Sequence, residues 1–259
     1  AVEAAITEKT KAVIGVHIYG QPYDPRLPKL CRERGIYLIE DAAQAHGASQ
    51  VMLDGSELVA GSMGDLGCFS FFPSKNMAVG GEGGMLTTTV DELTDAVSLV
   101  VNHGRSPSLE SMQLGSNLRM SEVSAAIGTV QLSHLDSWVE RRREIAEIYH
   151  QAFVDHPLLD TPNVRPGAKH AWHQYCLSTE YPDELVTHLD QHGIDARRYY
   201  VTPCHRQNVF AKHPQHGQVL PVTATLSSTL VAIPVMHELR DDEIERIISA
   251  VMSFSVLQH

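Results

Sequence analysis

The run Cys68 to Phe72 (CFSFF) sets the tightest limit on what this chain can fold into. Short, apolar and aromatic, it reads as a buried strand. Pro73 and Ser74 end it, Lys75 follows at once, and a glycine-rich turn, Gly80 to Gly84, comes next. A lysine delivered there has its stem among apolar groups at the mouth of a core. Burial disfavours the ammonium form, which is how lysines are tuned for Schiff-base chemistry with a carbonyl. Taken alone, such a lysine is more often a solvated loop residue. The rest of the chain decides between the two.

Flanking segments supply a sheet for that strand. Ala12 to Ile18 (AVIGVHI) is a nearly continuous β-branched run, Pro28 to Arg34 a short helix, and Ile36 to Ile39 a second strand. Strand, helix and strand in this span form a βαβ crossover, and such sheets work just past the carboxyl ends of their strands. Directly past the second strand stand Glu40, Asp41 and then AAQAHG. Val51 to Met63 is polar and glycine-punctuated and reads as loop. Met85 to Thr89 is a further strand, Asp91 to Asn102 an amphipathic helix, and Gly104 to Gly115 a long polar loop. One long helical pattern runs from Ser121, a suitable N-cap, to Phe153. Its stripe is Val123, Ile127, Val130, Leu135, Trp138, Ile145 and Tyr149.

The texture changes to proline-bearing loop around Pro157 to Gly167, and a domain boundary belongs there, giving 1–156 and 157–259. Beyond it come a strand His173 to Ser178, a helix Asp183 to Gln191 and a strand Asp195 to Tyr200. A helix within Val222 to Leu230 and a final helix Asp241 to Val251 complete a small α+β domain. The last helix has Ile244, Ile247, Ile248 and Val251 inward.

Composition excludes several functions. Thirty-one acids against twenty bases give a net charge of -11, with no basic cluster denser than Arg141 to Arg143, so nucleic acid is not an expected partner. Cys31, Cys68, Cys176 and Cys204 form no C-x-x-C pair and read as reduced thiols. Fifteen histidines show no recognisable ligand spacing, so no metal is expected. No run of eighteen apolar residues and no signal-peptide pattern occurs, and the expected location is the cytoplasm.

A carboxylate at one strand's end and a lysine at another's are what pyridoxal phosphate needs. Asp41 can keep the pyridine nitrogen protonated, and Lys75 can hold the aldehyde as an imine. Gln44 can donate to the phenolic oxygen. Ser70, pointing opposite to Phe69 and Phe71, can meet the phosphate. Spacing alone leaves the plainer readings open, since an aspartate after a strand is often an N-cap and a strand serine often a core hydroxyl.

Five segments then become recognisable in order: Ile36 to Ala48, Gly64 to Leu86, Val101 to Arg105, Gly115 to Leu132 and Leu220 to Leu239. Together they resemble the DegT/DnrJ/EryC1/StrS family of sugar aminotransferases, over nearly the whole chain. The resemblance implies the fold-type I, aspartate aminotransferase-like α/β architecture: part of a large domain with a mainly parallel sheet, and a small α+β domain. It implies Lys75 as the cofactor-holding catalytic lysine, Asp41 on the pyridine nitrogen, Gln44 on the phenolic oxygen and Ser70 on the phosphate. Asn117 is similar to the asparagine that the family sends to the other subunit's cofactor phosphate, which implies a homodimer with shared sites. The alternative for Asn117 is a loop amide capping the helix at Ser121. Tyr200 and His205, in YYVTPCH, match a Y-x-x-P-x-H segment near the family's substrate entrance.

The reaction so implied moves an amino group from glutamate to the keto group of a nucleotide-linked sugar, with a lean to a 4-keto sugar from the SNLRMSEVSAAIG segment. Family relatives that dehydrate sugars have a histidine at the lysine's place, and Lys75 argues against that chemistry. An aminotransferase acting on cyclitols or aminobenzoate precursors, and a non-catalytic regulatory relative, stay open. Members of the family begin on the order of a hundred residues earlier, about a small domain's worth. That part carries a glycine-threonine turn for the phosphate and an aromatic that stacks on the ring, so this chain is expected to be a fragment of a longer protein.

Overall fold

The computed structural model describes residues 1–256, so the last three residues of the expected small domain lie outside it. The chain forms two compact units, one of residues 1–140 with 164–173 and the other of residues 141–163 with 174–256.

The first unit holds α1 (Val2–Ala5), β1 (Ala12–Val16), α2 (Arg26–Arg34), β2 (Tyr37–Asp41), β3 (Ser49–Val51), β4 (Glu57–Val59), β5 (Leu66–Ser70), β6 (Gly84–Thr87), α3 (Asp91–Val101) and α4 (Glu122–Leu132). Its main sheet has the order β1-β2-β5-β6, the first three strands parallel and β6 antiparallel to β5. This is the expected mixed α/β arrangement with a mainly parallel sheet. Gly35 ends α2 with φ 64°, and its N–H reaches back to the Arg32 and Cys31 carbonyls, so the chain turns straight into β2.

The stretch 51–63 is not all loop. β3 and β4 form an antiparallel hairpin, with Ser49 opposite Val59 and Gly55 at φ 86° in the connection. Asp54-Gly55 is the turn signal that marks it. The helical pattern from Ser121 breaks in two, α4 and then α5 (Leu135–Phe153). At the break the Ser133 and His134 amides take the Val130 and Gln131 carbonyls, a tighter i→i−3 turn, and the Ser133 hydroxyl also donates to the Val130 carbonyl, 2.7 Å. Ser121 caps α4 as expected, accepting from the Ser124 amide at 3.1 Å. The stripe is buried only in its second half: Leu135, Ile145 and Tyr149 are inside, whereas Val123, Ile127 and Val130 are exposed. On α4 the buried position is Gly128, where an added Cβ would touch Val79 at 3.1 Å. After α5 the chain returns to the first unit as β7 (Ala168–Lys169), which pairs with β3.

The second unit holds the rest of α5 with β8 (Tyr175–Ser178), α6 (Pro182–Gln191), α7 (Pro221–Thr229), β9 (Leu230–Ile233) and α8 (Asp241–Met252). The expected strand over 195–200 does not form. β9 pairs along all of β8, and among the described residues the 195–200 stretch makes one β-bridge, Arg197 with Ala232 on β9. Arg197 instead folds its guanidinium onto Asp195, two residues back. Tyr149, Phe153, Tyr175, Leu177, Leu185, Leu189, Val231 and Ile247 are buried in this unit. Ala250 joins Ile244, Ile247 and Val251 on the buried face of α8, while Ile248 is only half-buried.

Candidate active site

Asp41 ends β2 and Ser70 ends β5, so both reach the carboxyl edge of neighbouring parallel strands, with Asp41 in register with Cys68. β5 alternates as a strand must. Phe69 and Phe71 pack into one cluster with Ala42, Ala45, Met77 and Val79, which turns Ser70 to the other face. The Ser70 hydroxyl lies 3.4 Å from the Phe72 amide.

Lys75 sits in the turn after β5, its amide donating to the Phe72 carbonyl at 2.9 Å. It is half-buried, and burial pushes its ammonium below the ordinary lysine value, with the Asp41 carboxylate pulling the other way. Asn76 anchors the turn. Buried, it donates through Nδ2 to the Ala171 carbonyl at 2.8 Å, and its Oδ1 lies 3.3 Å from His173 Nδ1. His46 lies beneath, with its ring 5.3 Å from Phe69 and 5.8 Å from Phe71. Burial, then the Lys75 ammonium, hold its imidazole down to about 4.

Asp41 accepts from the Ala43 amide at 3.1 Å, and Gln44 Oε1 accepts from the Tyr19 amide at 2.6 Å. The carbonyl end of Gln44 is therefore turned to backbone, which leaves its NH2 group as the end that donates. The four residues Asp41, Gln44, Ser70 and Lys75 thus come from two strand ends and the turns beyond them. Asn117 belongs to the same unit but stands on an exposed irregular stretch before α4. Its Oδ1 lies 3.4 Å from the Arg119 amide, and the helix cap is Ser121, not Asn117. Tyr200 and His205 belong to the second unit, Tyr200 47% exposed and His205 half-buried, its carbonyl accepting from the Gly217 amide at 3.1 Å.

Residue-by-residue reading of the sequence passes over His46 and Asn76. Both flank expected site residues, His46 two places after Gln44 and Asn76 next to Lys75, and adjacency was the signal available. Among the described residues no group of three metal-ligating side chains occurs, and no helix is long and apolar enough to cross a membrane.

The donor set fits pyridoxal phosphate: a strand-end carboxylate, a lysine with a weakened ammonium, an amide NH2 and a hydroxyl, all on one unit. Comparison with known proteins agrees. A UDP-N-acetyl-3-dehydro-alpha-D-glucosamine 3-aminotransferase of Acidithiobacillus ferrooxidans is 38% identical over 251 residues, 96% of this chain and 66% of that protein. A pleiotropic regulatory protein of Geobacillus stearothermophilus is 36% identical over 256 residues, 98% of this chain and 68% of that protein. The crystal structure of S. venezuelae DesV in complex with a ketimine intermediate superposes with a TM-score of 0.90 at 34% identity, covering 97% of this chain and 67% of that one. The chain therefore spans about two thirds of the length of these relatives. The sequence profile of the DegT/DnrJ/EryC1/StrS aminotransferases matches residues 1–252, and the chain belongs to that family.

Proposed function

We propose that this chain serves a pyridoxal-phosphate-dependent transamination in which an amino group passes from glutamate to the keto group of a nucleotide-linked sugar, in the cytoplasm. The observation that carries the reading is Lys75, delivered by β5 to a half-buried position where burial weakens its ammonium and Asp41 is its electrostatic neighbour. Bound there, pyridoxal phosphate would supply an electron sink for the carbon that gains or loses nitrogen. Asp41 would keep the proton on the pyridine nitrogen, Gln44 would donate from its NH2 group to the phenolic oxygen, and the Ser70 hydroxyl would meet the phosphate. Lys75 Nζ, once free, would take and return the proton at the reacting carbon as general base and acid. The exposed Asn117 would reach the cofactor phosphate of a second copy, making the sites shared across a homodimer. Tyr200 and His205 would border the sugar.

Similar proteins bear names that place the amino group at carbon 3 of the sugar, as in the Acidithiobacillus enzyme and a dTDP-3-amino-3,4,6-trideoxy-alpha-D-glucose transaminase of Streptomyces venezuelae. The SNLRMSEVSAAIG segment leans to carbon 4, so the assay offers both 3-keto and 4-keto nucleotide sugars. With 15N-glutamate as donor, mass spectrometry is expected to find 15N in one of the two amino sugars, and to find none with Lys75→Ala. A protein that binds pyridoxal phosphate but moves nitrogen from no amino acid to any keto sugar would overturn the transaminase reading. It would favour the regulatory role that the name of the Geobacillus relative suggests.

A further inference from the structure

One residue upstream of Asp41, the Glu40 side chain is fully buried on the other face of β2 and accepts four hydrogen bonds. His17 Nε2 lies 2.8 Å from its Oε2, the Gly61 amide donates to the same oxygen at 2.8 Å, and the Met63 and Gly64 amides donate to Oε1 at 2.7 Å each. Four donors are all that a carboxylate can accept in its plane. His17 is also fully buried. Its Nδ1 accepts from the Tyr23 amide at 3.2 Å, which assigns the ring proton to Nε2, facing Glu40. The ring stacks on Tyr23 with centroids 4.4 Å apart.

The segment that begins at His17 holds two of the four assembled site residues. The His17 amide donates to the Asp41 carbonyl at 3.0 Å, and two residues on, the Tyr19 amide donates to Gln44 Oε1. Tyr19 has φ 60°, an unfavourable conformation for a bulky side chain. Gly20 follows at φ 105°, and a Cβ there would lie 2.9 Å from the Trp172 amide nitrogen and 3.1 Å from the Gln44 carbonyl. Such a turn persists only where its surroundings fix it, and the anchored ring of His17 is at its start.

We infer that His17 and Glu40 are positioning residues for the cofactor site, a buried clamp that sets the side chains of Asp41 and Gln44 through the His17–Gly20 turn. The inference rests on the cofactor reading for its purpose, but not for its geometry. Two backbone amides report the two side chains directly: Tyr19 for Gln44 and Ala43 for Asp41.

The test is amide hydrogen exchange, followed by NMR on the whole chain without cofactor, for wild type, Glu40→Gln and His17→Phe, with wild type in sub-denaturing urea as the control for general loosening. Glu40→Gln keeps the size of the side chain but turns an NH2 group toward donors, and His17→Phe keeps the ring stack and loses both nitrogens. If one of the two does not fold, the other carries the test. The expected result is exchange at Tyr19 and Ala43 faster by about tenfold or more relative to the Phe71 amide, which is bonded to the Gly83 carbonyl on the far side of β5, with the control moving all amides in step. Faster exchange at Gly61, Met63 and Gly64 with Tyr19 and Ala43 unchanged would overturn the inference, reducing the pair to a loop staple. Adding pyridoxal phosphate to wild type separates the two claims: no visible absorption band would count against the cofactor reading alone, since the two amides report the clamp without it.

Discussion

Replacing His46 by leucine removes a buried base, and the consequence depends on pH in a way the structure fixes. His46 is 3% exposed, and its imidazole is held down to about 4 in the folded chain, first by burial and then by the Lys75 ammonium. In the unfolded chain it titrates near the ordinary 6.5. Above that value neither state carries the proton, and His46 adds no pH dependence. As pH falls from 6.5 towards 4 the unfolded chain takes up a proton that the folded chain refuses. Stability therefore drops by about 1.4 kcal/mol per pH unit, about 3 kcal/mol over the window. His46→Leu lacks this loss, so its stability relative to wild type should rise by about 3 kcal/mol between neutral pH and pH 4. Urea titration followed by tryptophan fluorescence is the assay, because both tryptophans, Trp138 and Trp172, belong to the first unit. Asp24, held down to about 2 by its hydrogen bond with Arg26, loses its contribution below this window and is common to both proteins. A constant gap between the two curves down to pH 4 would refute the reasoning, since it would mean that the folded site accepts the proton.

Three further substitutions probe the frame around the site. In Gly67→Ala the new Cβ would lie 2.5 Å from both Cα and carbonyl oxygen of Gly61, so backbone must part beside β5, the strand that leads to Lys75. A loss in the upper part of about 1–3 kcal/mol is expected in the same urea assay, and an unchanged midpoint would count against the packing of β5. Ser121→Ala removes the cap of α4 and should cost about 1 kcal/mol in the same urea titration. Tyr149→Phe leaves the Pro234 carbonyl, now 3.0 Å from the hydroxyl, without that donor, and should lower the calorimetric transition of the second unit by about 1 kcal/mol.

Local chemistry made much of the first unit legible. The CFSFF run, its terminating proline and the strand before Asp41 carry their own signals, and β1 and β2 lie side by side and parallel as the βαβ pattern requires. Short-range signals also mark what was passed over: Asp54-Gly55 announces the β3–β4 hairpin. The break between α4 and α5 turns on Ser133 taking a backbone carbonyl, which hydrophobic spacing does not register. The failure over 195–200 has a different origin: Asp195, Arg197 and Arg198 put three charges into that stretch. Arg197 and Arg198 turn their guanidinium groups to Asp195 and Asp183, and among the described residues one bridge to β9 remains, at Ala232. Least legible are bonds between distant residues. Asn76 meets Ala171 across 95 residues and His17 meets Glu40 across 23, and no periodicity encodes such pairs.

The most direct test of the central claim, that Lys75 is the cofactor-holding lysine, is borohydride reduction of the chain in pyridoxal phosphate followed by peptide mapping. The expected result is a visible absorption band that reduction bleaches, with the cofactor mass fixed on the peptide that contains Lys75. Label spread over surface lysines such as Lys29 and Lys169, with the Lys75 peptide unmodified, would contradict it.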